Sequence, residues 1–268
     1  MTKLRRVLMH LAMLMVALLF AFPLYWMFVS ATNSTGEIVV GRLTVGTHLR
    51  ENFAHLMEAR NIWRAMYNSM RNAVLSTVLS LLVSSIAGYG FEIFHDKWKD
   101  RLMNLILLSM LIPGISTIIP LYKMVASWKL LNTWVGFVLP GIASVFLIML
   151  FRQSARSFPY EVIESARMDG LSELGVFFRM FVPMMAPTYV AALTISFMNA
   201  WNSYLWPSII MMSNDSTTMP LLLANLMSGY TQDYGMILLA VSICTIPTLL
   251  IFTCLQKSFA SGITGAVK

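Results

Sequence analysis

The sequence predicts an all-α polytopic membrane protein with six transmembrane helices, and three observations carry that prediction. Of the 268 residues 57% are hydrophobic, only 12% are charged, and several apolar runs are long enough to cross a bilayer. A soluble domain carries about 25% charged residues, and a spanning helix needs roughly 20 apolar ones. One membrane domain over residues 7–257 follows, between short tails at 1–6 and 258–268.

The first apolar run, Val7 to Val29, follows Lys3, Arg5 and Arg6. A signal peptide starts in the same way, and Val29-Ser30-Ala31 has the small residues of a cleavage site. A cleaved apolar core is shorter, about 7 to 15 residues, so a retained first span is expected. The further spans run from Met70 to Phe94, Met103 to Trp128, Thr133 to Phe151, Pro183 to Pro207 and Tyr234 to Gln256. Pro113, Pro120 and Pro140 fall inside the third and fourth, where neighbouring helices can satisfy freed backbone groups; kinks are expected there.

Six spans put both termini on one side, and the distribution of Lys and Arg in short loops decides which. Lys97, Lys99, Arg101, Arg152, Arg156, Arg167 and Arg179 join the N-terminal cations on one face. The opposite face carries a counter-signal in the long first loop, from Arg42 to Arg71, but the stretch Ser208 to Asp233 has no Lys or Arg. Cytoplasmic N- and C-termini are therefore expected.

The net charge of +7 could suggest nucleic acid, yet such a binder gathers its cations on a water-facing patch, and here they flank apolar runs. A nucleic-acid partner is not expected. Cys244 and Cys254 lie in one span about 15 Å apart along a helix, too far to bridge, and read as buried packing thiols. His10, His48, His55 and His95 sit without the spacing of a metal or catalytic set. The 22 methionines scatter over every span instead of clustering as copper ligands do, which favours packing.

Glu92 and Lys123 are the charges nearest the spans, and both lie near span ends, within reach of headgroups or water. The chain has no evident ion-coupling acid at the bilayer midplane and no G-x-x-x-x-G-K-[ST] phosphate loop. Uphill work by such a chain must draw its energy from another one.

The longest cytoplasmic connection, 152–182, reads as two short helices. Pro159 suits a first turn, Glu161 and Glu164 favour the positive helix end, and Asp169-Gly170 is a stop signal. Ser172 can cap a second helix running to Pro183. Val162, Ile163, Ala166 and Met168 form an apolar ridge among charges. That ridge can dock in a groove of a partner protein, or lie on the headgroups as an interfacial helix.

Glu164-Ser165-Ala166, three residues, Gly170, nine residues, then Met180-Phe181-Val182-Pro183 resembles the EAA loop of ABC importer permeases, E-A-A-x3-G-x9-I-x-L-P. Ser165 replaces the second motif residue, and Met180 and Val182 replace Ile and Leu. Further pieces resemble the carbohydrate importers of the maltose-transporter type: Phe22-Pro23-Leu24-Tyr25, Asn68-Ser69, Trp201-Asn202-Ser203-Tyr204-Leu205-Trp206-Pro207, and the tail Gly262 to Lys268.

The resemblance implies a type I importer permease in a bacterial inner membrane. Its partners would be a second permease, two ATPase subunits holding ATP and Mg, an extracytoplasmic solute-binding protein, a sugar and the lipid bilayer, with no cofactor on this chain. It implies that a coupling helix over 159–175 meets the ATPase through Glu164, Ser165, Ala166, Asp169, Gly170 and Pro183. Glu164 would make the polar contact, Ala166 the close approach and Gly170 the turn, though Gly170 alone also reads as an ordinary helix terminator.

Asn199, Asn202 and Tyr204 are candidates for the solute pathway, since an amide facing lipid is costly. Trp206 reads as an interfacial belt residue. Asn214, Asp215, Ser216 and Thr217, in the outer stretch from Met212 to Gln232, are candidates for contact with the binding protein; the apolar half of that stretch could equally be a re-entrant piece. A glycerol-phosphate or polyol permease, or a non-transporting assembly subunit, is the alternative.

Overall fold

The computed structural model describes residues 3–59, 61–229 and 232–265, and everything regular in them is helical. In chain order the helices are α1 (Lys3–Ser30), α2 (Thr35–Val39), α3 (Leu49–Ala59), α4 (Ile62–Ile93), α5 (Lys97–Ser109), α6 (Gly114–Ser127), α7 (Trp134–Val138) and α8 (Val145–Ala155). After them come α9 (Tyr160–Met168), α10 (Glu173–Val176), α11 (Val182–Met184), α12 (Ala186–Trp201), α13 (Leu205–Ile210), α14 (Met219–Met227) and α15 (Tyr234–Gly265).

Three of these stretches are long and apolar enough to cross a membrane unbroken: Lys3–Ser30, Ile62–Ile93 and Tyr234–Gln256. Counted as one span each, three bent pairs bring the total to six, with α5 and α6 meeting at 98°, α7 and α8 at 48°, and Glu173–Met184 meeting Ala186–Ile210 at 82°. The expected kinks at Pro113 and Pro140 are therefore breaks. Pro113, at φ −59 and ψ 126, starts α6 as its N-cap. Pro140 opens a 3-10 turn over Leu139–Gly141, and Ser144 then caps α8 by accepting from Leu147 N at 3.4 Å. Pro120, by contrast, sits inside an intact α6. The fifth span, expected from Pro183, restarts at Ala186 with Pro187 in its first turn.

One compact unit comprises Met1–Arg64 and Leu221–Pro247. Within it α1 is exposed from residue 3 to 25, while Met27, Val29, Ser30 and Ala31 are buried. The turn after α1 is held by buried Asn52, whose amide donates to Ala31 O at 2.9 Å and Asn33 O at 3.0 Å.

The second unit comprises Ala65–Pro220 and Thr248–Lys268. Gly88 lets α4 and α8 approach: a Cβ there would lie 2.6 Å from Phe151 Cβ and 2.8 Å from Arg152 N. Phe151 in turn packs against Tyr189 with the rings tilted at 56° and 4.7 Å between their centres. A further core gathers Tyr89, Phe158, Phe177 and Phe181 with Ile163 and Ala166. Cys244 is half-buried and Cys254 is exposed, so the expectation of two buried thiols is corrected for Cys254, whose apolar helix position leaves it facing outward. The tail motif at 262–268 extends beyond the described residues.

Candidate functional site

The segment 152–182 folds as two arms joined at Gly170, the second a short α-helix that passes into a π-helical stretch instead of running regularly to Pro183. Pro159 caps α9, which stops at Asp169 and Gly170. Gly170 has φ +80, Gly170 N donates to Arg167 O and Leu171 N donates to Ala166 O, each at 3.0 Å. This is the paired closure that a glycine in the left-handed region gives a helix end. Ser172 Oγ then accepts from Gly175 N at 3.2 Å and starts α10. A π-helical stretch, Phe177–Phe181, leads on to α11 and Pro183.

The two helices form an elbow whose inner and outer faces differ. Ile163 and Ala166 are buried against Val176, Phe177 and Phe181 with Val162 packed beside them, so three of the four residues of the apolar ridge read from the sequence point into the chain's own core and only Met168 points out. Ala166 is thus 1% exposed within the chain itself, and helical spacing shows that a ridge exists but not what it meets. The outer face offers Glu161, Glu164, Ser165, Asp169 and Met168, the last 88% exposed. Across Gly170, Arg167 donates through Nε to Glu173 Oε1 at 2.7 Å and through Nη2 to Oε2 at 3.1 Å. The Glu173 carboxylate raises the Arg167 pKa above its ordinary value against a smaller opposing effect of burial.

Where the spans meet this elbow, an ion cluster joins three helices. Arg152, its side chain 7% exposed, donates through Nε to Glu92 Oε2 at 3.1 Å and through Nη2 to Asp100 Oδ1 at 2.5 Å. Arg156 reaches Glu92 at 3.4 Å, and His95 lies 2.8 Å from Asp100. Glu92 was expected to reach headgroups or water; it is instead half-buried in this cluster. Sequence reasoning missed the pairing, and the signal available was an acid and a cation both placed at span ends. Two histidines also acquire partners that spacing hid, His55 with Asp233 and His95 with Asp100.

A cavity of about 540 Å³ opens among α4, α6, α7, α8 and α12. Hydroxyl and amide side chains line it, from Ser76, Ser80, Thr117, Ser144, Ser196, Ser203 and Asn199, together with Phe137, Phe146 and Trp206. No charged residue is among the lining. Of the pathway candidates Asn199 stands on this wall, whereas Asn202 and Tyr204 are exposed and outside it. Trp206, read from sequence as a belt residue, lines the cavity and donates through Nε1 to Gly136 O at 3.1 Å.

The stretch after α13 is a fastened turn. Asn132, itself at φ +59, accepts at Oδ1 from Ser213 N at 2.9 Å and from Ser216 Oγ at 3.0 Å. Asn68 Nδ2 donates to Asp215 O and Thr217 O at 2.8 and 3.0 Å, and Met219 N donates to Ser69 Oγ at 2.7 Å. Asn214 and Asp215 are exposed and Thr217 half-buried. Ser216 is buried, its hydroxyl turned inward to Asn132. The apolar half of the stretch is α14, with Met219 and Leu222 buried.

In the other unit, Asp233 precedes α15 and accepts from Met236 N at 3.1 Å and Thr35 Oγ1 at 3.2 Å, with His55 Nδ1 at 2.8 Å. Burial raises the Asp233 carboxyl, but these hydrogen bonds outweigh it and leave the pKa below the ordinary value. The same hydrogen bond raises that of His55.

Residues 80–265 match the family described as "Binding-protein-dependent transport system inner membrane component". The chain is 41% identical to the lactose transport system permease protein LacG of Rhizobium radiobacter, over 100% of both chains. It is 32% identical to the arabinooligosaccharides transport system permease protein AraQ of Bacillus subtilis (strain 168), covering 98% of this chain and 96% of that one. A chain in the crystal structure of a bacterial ABC transporter involved in the import of the acidic polysaccharide alginate shares the fold. Its TM-score is 0.81 at 18% identity, over 96% of this chain and 98% of that one.

Proposed function

The chain belongs to the family of binding-protein-dependent transport system inner membrane components, and from that membership we propose that it is one permease half of an ATP-driven importer of uncharged oligosaccharides. The observation that carries this reading is the elbow of α9 and α10. It is a Gly170-turned element that buries Ile163, Ala166, Val176 and Phe177 in the chain's own core and presents Glu164, Ser165 and Asp169 outward beside exposed Met168 and Leu174. A rigid part that can occupy two positions is what coupling to a separate ATPase requires.

In this assembly the termini are cytoplasmic, two ATPase subunits bind ATP and Mg, and their closure shifts the elbow. A second permease completes the pathway, and an extracytoplasmic solute-binding protein delivers the sugar near Asn214 and Asp215. The cavity supports an uncharged polyhydroxylated solute: its serines, threonine and Asn199 exchange hydrogen bonds with hydroxyls, and aromatic faces suit a sugar ring. A glycerol-phosphate solute would call for a cation on that wall, and none lines it.

The test is to purify the chain with its partners and measure ATP hydrolysis stimulated by binding protein loaded with lactose, an arabinooligosaccharide or glycerol phosphate. Stimulation by a neutral oligosaccharide is expected. A chain that copurifies with no ATPase, or one stimulated by glycerol phosphate alone, would overturn the reading.

A further inference from the structure

Tyr89, near the C-terminal end of α4, is set into the aromatic core of the elbow. Its ring meets Phe94, Phe177 and Phe181 edge-on, with centres 6.2, 5.3 and 4.9 Å away. The residue is 4% exposed, and its hydroxyl has no hydrogen-bond partner among the described residues. A phenylalanine would fill the same pocket without taking a hydroxyl out of water, so the oxygen is a cost to this packing. A buried serine or threonine can turn back onto a carbonyl of its own helix, as Thr77 does to Ala73 O at 2.7 Å; a phenol held by three rings cannot.

Two of those rings lead to the two arms of the elbow. Phe177 follows Glu173 by one helical turn, which puts the Glu173 carboxylate on the same side of the second arm. Phe94 has the Arg167 guanidinium 6.0 Å from its centre. Glu173 and Arg167 are accordingly the charged groups that act on the Tyr89 phenol. Here they are paired with each other, and both side chains are partly exposed. The arm beyond them is irregular. Phe177 and Phe181, the rings nearest Tyr89, bound the π-helical stretch, whose wide turn closes from Val182 N to Phe177 O. Such turns concentrate at functional sites.

We infer that Tyr89 is a positioning residue of the coupling elbow, its hydroxyl donating to the Glu173 carboxylate when the elbow moves and Glu173 parts from Arg167. A carboxylate that loses an arginine needs another donor, and a phenol fixed by three rings supplies one in place. The elbow then has two closures on one acid, Arg167–Glu173 and Tyr89–Glu173. The second ties it to α4, the helix whose Ser80 and Ser76 stand on the cavity wall about 14 and 20 Å further along. This role rests on the coupling function proposed for the elbow.

Tyr89→Phe keeps the ring and removes only the oxygen. The assembled importer would be compared with wild type in thermal unfolding and in ATP hydrolysis, titrated with binding protein carrying whichever of lactose and an arabinooligosaccharide stimulates wild type. Tyr89→Phe should melt at the wild-type temperature or a few degrees above it. Its maximal stimulated rate should fall roughly five-fold, the worth of one hydrogen bond, with the half-stimulating concentration of binding protein unchanged. Trapped with a non-hydrolysable ATP analogue, the wild-type complex should hold Tyr89 Oη within about 3.2 Å of the Glu173 carboxylate.

Full stimulation in Tyr89→Phe overturns the inference, as does a trapped complex in which Tyr89 Oη meets any group other than Glu173. A lowered melting temperature overturns it too, because the hydroxyl would then be holding the present packing together. If Gly170→Pro and Glu164→Lys also stimulate normally, the coupling function has failed and takes the role of Tyr89 with it. If those two are uncoupled and Tyr89→Phe is not, the role of Tyr89 alone falls.

Discussion

Arg167 and Glu173 bridge the two arms of the elbow with a two-pronged ion pair, Nε to Oε1 at 2.7 Å and Nη2 to Oε2 at 3.1 Å, on either side of the left-handed Gly170. Both side chains are partly exposed, so the pair contributes at most about 1 kcal/mol to stability. Its value is angular, since it fixes how α10 leaves α9. Arg167→Ala should leave the unfolding temperature of the complex nearly unchanged and weaken the stimulation of ATP hydrolysis by loaded binding protein. The reversed pair, Arg167→Glu with Glu173→Arg, should restore much of it.

Gly170→Pro attacks the same elbow more severely. Proline holds φ near −65° and removes the N–H that closes the helix on Arg167 O, at a cost of about 3 kcal/mol. Membrane insertion should persist and sugar uptake should be lost. Glu164→Lys, at an exposed position, should change stability by less than about 0.5 kcal/mol yet still uncouple. Wild-type uptake in either variant would falsify the coupling role.

Arg152→Met leaves Glu92 and Asp100 facing an apolar side chain. Removing one partner of a buried ion network costs about 3 kcal/mol, the lower end of the usual range being apt because Asp100 is 40% exposed. Thermal unfolding of the purified complex should show the loss, and Glu92→Gln added to Arg152→Met should recover part of it. No recovery would mean that the cluster does not act as a unit.

The His55–Asp233 pair gives a pH dependence with a definite sign. His55 has its pKa raised above 6.5 by the hydrogen bond to Asp233, so its contribution is complete below 6.5 and lost as pH rises through the raised value. The Asp233 pKa lies below 3.8, so its contribution is complete above 3.8 and lost as pH falls through the lowered value. The stability advantage of wild type over His55→Gln should be largest between these limits and shrink above neutrality, read as melting temperature against pH. A flat difference would sink the assignment.

Asn199→Leu should lower the rate of sugar uptake by roughly three- to ten-fold, the worth of one hydrogen bond, with complex assembly intact. Asn202→Leu, outside the cavity wall, should have little effect on uptake. The reverse order would move the solute pathway elsewhere.

What the sequence disclosed was mostly local. Pro159, Gly170 and Ser172 act within a turn of themselves, and the elbow they specify is found where their chemistry puts it. Relationships between distant segments stayed hidden. Glu92 and Arg152 are separated by a whole span and its return, and the buried sides of Ile163 and Ala166 depend on aromatic residues from other helices. Pro113 was visible, but its 98° bend was not, because apolar composition reads the same on both sides of a corner. At the cavity Asn199 was recoverable as an amide that lipid would reject, whereas Ser76, Ser80 and Ser144 look like any small residues of a membrane helix until folding gathers them.

The contact at Gly88 fixes how closely α4 lies on α8. On one side, four residues and about 6 Å away, Glu92 joins the cluster beneath the elbow; on the other, eight residues and about 12 Å away, Ser80 stands on the cavity wall. With no side chain at residue 88 the two helices close to a separation that a Cβ would forbid, so the cluster at one end of α4 and the cavity wall at the other hang on a single close backbone contact, and any larger residue there would force α4 and α8 apart.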